Sequence, residues 1–277
     1  MVRPEKHTDS RVPKDCKQVP VGLTDVDQLT GLIAETDAVI YSAGSVRGRN
    51  PEDFSTANIK GVKAMLEALG NLDSSSDSTP PMLLLSSLAA SRPALSNYAQ
   101  SKFAGEQVLH AQPLLPWTIL RPPAVYGPGD QEMLPLLKSI RRGLLARVGP
   151  ADQRLSLLHV DDLASAVVSW ISAPQACRGS TFAIDDGTPG GYSWQAIGEA
   201  VTDRKFRTLK VPQSLLELTA RTNLVFSKFL GYQPMLTPGK VRELLQPEWL
   251  CDNREFSNST GWKPRLDLKQ GAKQLFQ

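Results

Sequence analysis

Tyr98 and Lys102 stand four residues apart in Tyr98-Ala99-Gln100-Ser101-Lys102. On a helix, that spacing puts both side chains on one face, where their heads can approach each other. An ammonium beside a phenol favours the phenolate, lowers the tyrosine pKa and lets the pair exchange a proton with a hydroxyl or carbonyl near neutral pH. The spacing alone recurs by chance, so the surrounding chain must decide whether it carries chemistry.

Apolar runs surround this stretch. Met82-Leu83-Leu84-Leu85-Ser86-Ser87 precedes it, Trp117-Thr118-Ile119-Leu120-Arg121 follows it, and Asp37-Ala38-Val39-Ile40-Tyr41-Ser42-Ala43-Gly44 comes earlier. The first and last end in small residues, and all three read as buried parallel strands opening into loops. A brief run at Gln18 to Val21 is a further candidate strand. Between them lie a helix capped by Thr24 or Asp25 and carrying Leu29, Leu32 and Ile33, then one from Phe54 to Leu69 that ends at Gly70, and then the Tyr98 helix, which runs to about Gln112. Strands alternating with helices predict an α/β fold with a Rossmann-like, doubly wound parallel sheet. Ligands of such sheets bind at the carboxyl ends of the strands, where Ser42 to Gly44, Ser87 and Arg121 to Val125 all fall.

Beyond Gly127-Pro128-Gly129 the alternation loosens. A basic amphipathic helix is expected near Met133 to Leu145, a strand at Leu155 to Val160, a helix capped by Asp161 or Asp162 and reaching Ile171, a strand at Thr181 to Ile184, and a helix at Trp194 to Val201. The apolar segment Pro212 to Leu230 reads as helices of a second lobe closing over a substrate cleft. The resulting division is a cofactor domain of residues 1–125 and 156–185 and a smaller substrate lobe of residues 126–155 and 186–277.

The 277 residues, 41% of them hydrophobic, suffice for such an arrangement. The net charge of +3 comes from 31 basic and 28 acidic residues, and neither sign gathers in a long block, so the sequence shows no footprint for nucleic acid or an anionic membrane. Cys16, Cys177 and Cys251 are isolated and lack CxxC spacing, which fits reduced thiols rather than a disulfide framework or a metal site. No run approaches the ~18 apolar residues of a membrane span, and Met1 to Lys6 lacks a signal-peptide core, so a cytoplasmic protein is expected.

The order of motifs resembles the extended short-chain dehydrogenase/reductase family, which includes NAD-dependent epimerase/dehydratases and 3β-hydroxysteroid dehydrogenase-like enzymes. The resemblance rests on Tyr41-Ser42-Ala43-Gly44, Asn58 in Ala57-Asn58-Ile59-Lys60-Gly61, Ser86-Ser87, Tyr98 with Lys102, Leu120 to Asp130, His159-Val160-Asp161-Asp162-Leu163-Ala164, and Gly261-Trp262-Lys263-Pro264. It implies that Tyr98 is the proton donor or acceptor at the reacting carbinol or carbonyl. Lys102 would hold the nicotinamide ribose hydroxyls and lower the Tyr98 pKa, and Ser87 would hydrogen-bond the substrate oxygen, with Ser86 a weaker candidate. Ala43, Gly44 and the backbone of Pro122, Pro123, Ala124 and Val125 would line the cofactor together with Tyr98 and Lys102, while Tyr126 would join Ser87 at the substrate. The implied cofactor is NAD or NADP, the partner a small-molecule alcohol, ketone or nucleotide sugar, and the assembly a homodimer. Asp161 and Asp162 read as helix caps and His159 as a packed core histidine rather than as catalysts.

The chain departs from this family in three places. The family opens with a strand, a TGxxGxxG turn and a helix that binds the pyrophosphate. That opening is not found here, and Val2-Arg3-Pro4-Glu5-Lys6 resembles the end of the second family strand. An N-terminally truncated sheet is therefore expected, with two apolar strands left unpaired or pairing directly, and a cofactor-deficient, non-catalytic homologue is the alternative to an enzyme. Secondly, Gly22 stands where many members carry an acidic residue against adenine, while Arg3 could face a 2′-phosphate and favour NADP. Finally, Leu155 occupies the position where sugar-nucleotide enzymes often carry an arginine, with Arg154 one residue earlier. With the apolar Pro212 to Leu230 segment, this favours a sterol-, terpenoid- or other lipid-like alcohol or ketone over a nucleotide-sugar epimerase or dehydratase substrate.

Overall fold

A computed structural model describes Asp9, residues 12–72 and residues 79–276. Its strands, in chain order, are β1 (Val39–Tyr41), β2 (Met82–Leu85), β3 (Trp117–Arg121), β4 (Ala124–Tyr126), β5 (Leu144–Arg147), β6 (Arg154–Leu155), β7 (Leu157–His159), β8 (Ser180–Ala183), β9 (Arg207–Lys210) and β10 (Glu248–Trp249). The helices are α1 (Val26–Ile33), α2 (Glu52–Ser55) running through a π turn (Thr56–Lys60) into α3 (Gly61–Gly70), α4 (Asn97–His110), α5 (Leu134–Arg141), α6 (Val160–Ser172), α7 (Trp194–Val201), α8 (Gln213–Leu230), α9 (Pro238–Leu244), α10 (Arg254–Thr260) and α11 (Leu268–Leu275).

The central sheet has the order β1-β2-β3-β8, all parallel. In β2 and β3 alternate residues enter opposite cores, which is why those strands are largely apolar. Met82, Leu84 and Ile119 join Leu29 of α1, Met65 and Leu69 of α3 and Leu109 of α4. Leu83, Leu120 and Phe182 pack on the other side against Trp170 of α6, Phe256 of α10 and Trp262. Each such fully buried aliphatic contributes about 1.5–3 kcal/mol. This two-faced α/β sheet agrees with the fold class read from the sequence.

Among the described residues β1 is the outer strand, bonded to β2 on one side, with Ile40 38% exposed. Gln18 to Val21 forms none of these strands; Pro20 makes a single β-bridge and Val21 is buried. A third core, around Tyr126, Ile140, Leu157, Trp194 and Leu268, holds α5, α7 and α11 against the β4–β7 pair.

Several local boundaries differ from expectation. The basic helix near 133–145 stops at Arg141, and the chain then forms β5, paired with β9. The 155–160 run divides into β6 and β7. His159, not Asp161 or Asp162, caps α6, its Nδ1 accepting from the Asp161 N–H at 3.3 Å. Pro212 to Leu230 is one helix, closed by Gly231 in the left-handed region, and most of its large apolar residues face outward.

Candidate active site

Ser96 is extended, and its Oγ accepts the Ala99 N–H at 2.9 Å, starting α4 one residue before Tyr98. Tyr98, Lys102 and Glu106 then recur at four-residue intervals along one side of the helix. The Lys102 ammonium donates to the Leu85 carbonyl at the carboxyl end of β2, 2.9 Å away. Glu106 is fully buried and satisfied: it accepts from Ser86 Oγ at 2.5 Å and from Arg121 Nε and Nη2 at 2.9 and 2.5 Å. Ser86 is thereby committed to Glu106, which leaves Ser87 as the serine facing Tyr98.

The π turn presents Asn58 between α4 and the loop after β1. Its Nδ2 donates to Ser101 Oγ at 2.8 Å and to the Ser45 carbonyl at 3.0 Å, while its Oδ1 accepts the Ser45 N–H at 3.0 Å. Close approach of the two helices depends on Gly105, where a Cβ would collide with the Asn58 backbone oxygen.

Tyr98 is held near Ser87. Burial raises its pKa, a hydrogen bond with the Ser87 side chain and the charge of Lys240 lower it, and Glu243 and Glu132 raise it again, for a net upward shift. Lys102, expected to lower the Tyr98 pKa, stands one turn further along the same side of α4. Lys102 is pulled down to about 8 by burial, opposed by Glu106, and its head is engaged by the Leu85 carbonyl. A second cation, Lys240 from α9, favours the phenolate. Burial works against the Lys240 ammonium, but Glu243, bonded at 3.0 Å, holds its pKa above the ordinary value.

Helix α9 reaches the site by docking on the loop before α4. Ser96 Oγ donates to Glu243 Oε1, Arg242 Nε donates to the Leu95 carbonyl at 2.7 Å, and a Cβ on Gly239 would fall 2.8 Å from Ser96 Cβ. Lys240 and Glu243 carry no local signal marking them as site residues, being more than 140 positions from Tyr98. Glu106 was legible as the continuation of the Tyr98 and Lys102 spacing, but was missed.

The predicted cofactor wall assembles at three strand ends. Half-buried Ala43 and exposed Gly44 follow β1, Ser87 follows β2, and Pro122 to Val125 follow β3. Backbone bonds from Ser86 N to the Leu120 carbonyl and from Leu88 N to the Pro122 carbonyl, both 2.8 Å, hold the last two segments together. A Cβ at Gly44 would stand 3.2 Å from Lys102 Nζ and 3.3 Å from Asn58 Oδ1, so the absence of a side chain there leaves a cradle beside the ammonium. These residues fit the nicotinamide-ribose half of a dinucleotide. Arg3 lies outside the described residues.

Tyr126 is a correction. It is fully buried, its ring stacks edge-on against His159 with centroids 5.2 Å apart, and its hydroxyl donates to the Asp267 carbonyl at 3.2 Å. It is core, not substrate surface, because α11 lies across it. Asp162 likewise is spent on structure, accepting the Arg265 and Leu266 N–H groups at 2.9–3.1 Å. Among the described residues no cluster of His, Cys, Asp or Glu is arranged to hold a metal ion, and no helix is long and apolar enough to cross a membrane. Two surface hollows, of about 500 and 430 Å³, lie beside Glu199 and Arg204 and beside Asp130 and Lys138, and Tyr98 lines neither.

Residues 3–184 match the profile of the NAD dependent epimerase/dehydratase family. The chain is similar to ceramide reductase of Caulobacter vibrioides, 32% identical over 80% of this chain and 68% of that protein. It is also similar to a decarboxylating sterol-4-alpha-carboxylate 3-dehydrogenase of Saccharomyces cerevisiae, 23% identical over 90% of this chain and 79% of that protein. Two other curated relatives are matched over only 52% and 56% of their own length. A solved structure of a putative epimerase from Burkholderia cenocepacia superposes with a TM-score of 0.71, at 19% identity, over 99% of this chain and 86% of that one.

Proposed function

Because this chain belongs to the NAD dependent epimerase/dehydratase family, we propose that it interconverts a secondary alcohol and a ketone on a lipid- or sterol-like substrate. The reading is carried by Lys102, one helical turn beyond Tyr98 on α4, whose ammonium is bonded to the Leu85 carbonyl at the carboxyl end of β2, two residues before Ser87. A carbonyl oxygen set between the two hydroxyls would accept hydrogen bonds from both, and Tyr98 would pass its proton to that oxygen as negative charge develops there. In the reverse direction Tyr98 would take the proton from the carbinol. A bound nicotinamide dinucleotide would supply or accept the hydride. Lys102 uses one of its three donors on the Leu85 carbonyl, which leaves two for the ribose hydroxyls beside Gly44. Ser86, Glu106 and Arg121 form a closed, satisfied group behind it that fixes the strand end.

The substrate class is supported by similarity to a ceramide reductase and a sterol dehydrogenase and by Leu155 in place of the diphosphate-binding arginine, with exposed Arg154 in β6. The test is turnover of NADH and NADPH with long-chain ketones, sterol ketones and nucleotide-sugar ketones in parallel. Tyr98→Phe should lower turnover of the accepted substrate at least ~10²-fold with unchanged thermal unfolding. Near-normal turnover in that variant would reject the assignment, and acceptance of the sugar nucleotides alone would reject the lipid class.

A further inference from the structure

Helix α8 is built the wrong way round for a helix of a water-soluble lobe. Its small and polar residues Ala220 and Ser227 are buried, and Asn223 donates from the inner side to the Leu236 carbonyl at 2.9 Å. Its large residues point out: Phe229 is 82% exposed, Leu230 72% and Leu218 61%, with Leu215, Val225 and Phe226 each more than half exposed. At 100° per residue these six fall in one arc of about 140°, interrupted only by Thr219 and Thr222. Exposed Arg221 and Lys228 border the arc on one side, with half-buried Glu217, which is bonded to Gln213.

The charge along this stretch is predominantly positive. Residues 202–230 hold six basic and two acidic side chains, a net +4 against +3 for the whole chain. Four of the six, Arg204, Lys205, Arg207 and Lys210, are exposed on or just before β9, which runs into α8 through Val211 and Pro212 alone. Read along the chain, no long basic block is visible. The fold concentrates the charge by placing a basic strand directly ahead of a helix with a basic flank.

We infer that α8 is an in-plane anchor that beds its Leu215 to Leu230 stripe into the surface of an anionic lipid bilayer, with the basic residues of β9 and of the α8 flank against the headgroups. An apolar arc edged by cations on an uninterrupted helix is the composition that binds the headgroup–acyl boundary. A second copy of the chain is disfavoured as occupant, because an antiparallel two-fold contact through this stripe would bring the same positive flank against itself, and a parallel one would set it against a flank that carries no acidic residue. The inference does not rest on the catalytic reading, since attachment is read without turnover.

The test is flotation of the full chain with vesicles of phosphatidylcholine alone and of phosphatidylcholine mixed with phosphatidylglycerol. Binding is expected with the mixed vesicles and should weaken in high salt. The double variant Phe226→Ser/Phe229→Ser should lose at least about tenfold in affinity, and Arg221→Ser/Lys228→Ser should weaken, without abolishing, the preference for the anionic vesicles, because the four basic residues in and before β9 remain. All four side chains are exposed, so unfolding temperature should not change, and it is measured alongside. No binding to the mixed vesicles, or binding indifferent to the phenylalanine variant, would overturn the inference. So would a wild-type dimer that fails to float and that the same double variant dissociates, which would give the stripe to a second copy.

Discussion

Ser96 joins two helices: its hydroxyl accepts the Ala99 N–H of α4 and donates to the Glu243 carboxylate of α9. The residue that starts the Tyr98 helix is therefore also the residue on which the C-terminal part of the chain bears. Ser96→Ala should lower stability by about 1–2 kcal/mol, read as a shifted denaturant midpoint. Ser96→Asp, ordinarily an equal cap, should do at least as badly here, because it sets a second carboxylate against Glu243. Wild-type stability in the aspartate variant would show that the Glu243 contact is not made.

Tyr98 feels Lys240 and Glu243 with opposite signs. In the oxidative direction turnover should rise with pH as the phenol becomes a base, and the midpoint of that rise should move upward in Lys240→Met, stay in place in Lys240→Arg, and move downward in Glu243→Gln. A pH–rate profile of each variant decides this, and equal midpoints across the set would remove Lys240 from the site.

Lys102 is buried, and its pKa falls from 10.5 to about 8. The unfolded chain holds this proton up to about pH 10.5 and the folded chain only to about 8, so the unfolded state binds more protons between the two. Stability contributed by this group must then rise with pH across that window, by up to about 3 kcal/mol. The difference in unfolding free energy between wild type and Lys102→Met, followed from pH 8 to 10.5, should shift in favour of the wild type, and a flat difference would show an ordinary lysine.

Gly105→Ala adds one methyl where the Asn58 backbone carbonyl already sits. Neither partner is the free end of a side chain, so α4 and the π turn must separate. A loss of about 1–3 kcal/mol is expected on thermal unfolding, together with weaker dinucleotide binding as Asn58 leaves Ser45. Wild-type behaviour would mean that the two helices can part freely.

The sheet was legible because parallel strands buried on both faces are written as unbroken apolar runs, and β1, β2, β3 and β8 fall within or next to such runs. The Tyr98 to Lys102 spacing was legible for the same kind of reason, a helix period. What escaped was decided by partners distant in sequence. β5 exists because Leu144 to Arg147 find Arg207 to Lys210, and Lys240 matters because α9 lands on Ser96. The periodicity of α8 showed an apolar side but not whether protein covers it, and Tyr126, though it stands in a motif-rich stretch, turned inward under α11.

The π turn at Thr56–Lys60 does more than present Asn58. A single residue in an α-helix corresponds to 100° of rotation, so a wider turn sets the angular phase between everything before it and everything after it. Phe54 on one side and Val62, Met65 and Leu69 on the other are all buried only because that phase is kept. Deleting one residue from α3 beyond the turn would swing the rest of that helix by about 100° about its own axis and unseat the first core. The continuous helix of residues 52–70 thus works as two helices with a fixed gearing, and length, more than residue identity, is what that segment cannot change.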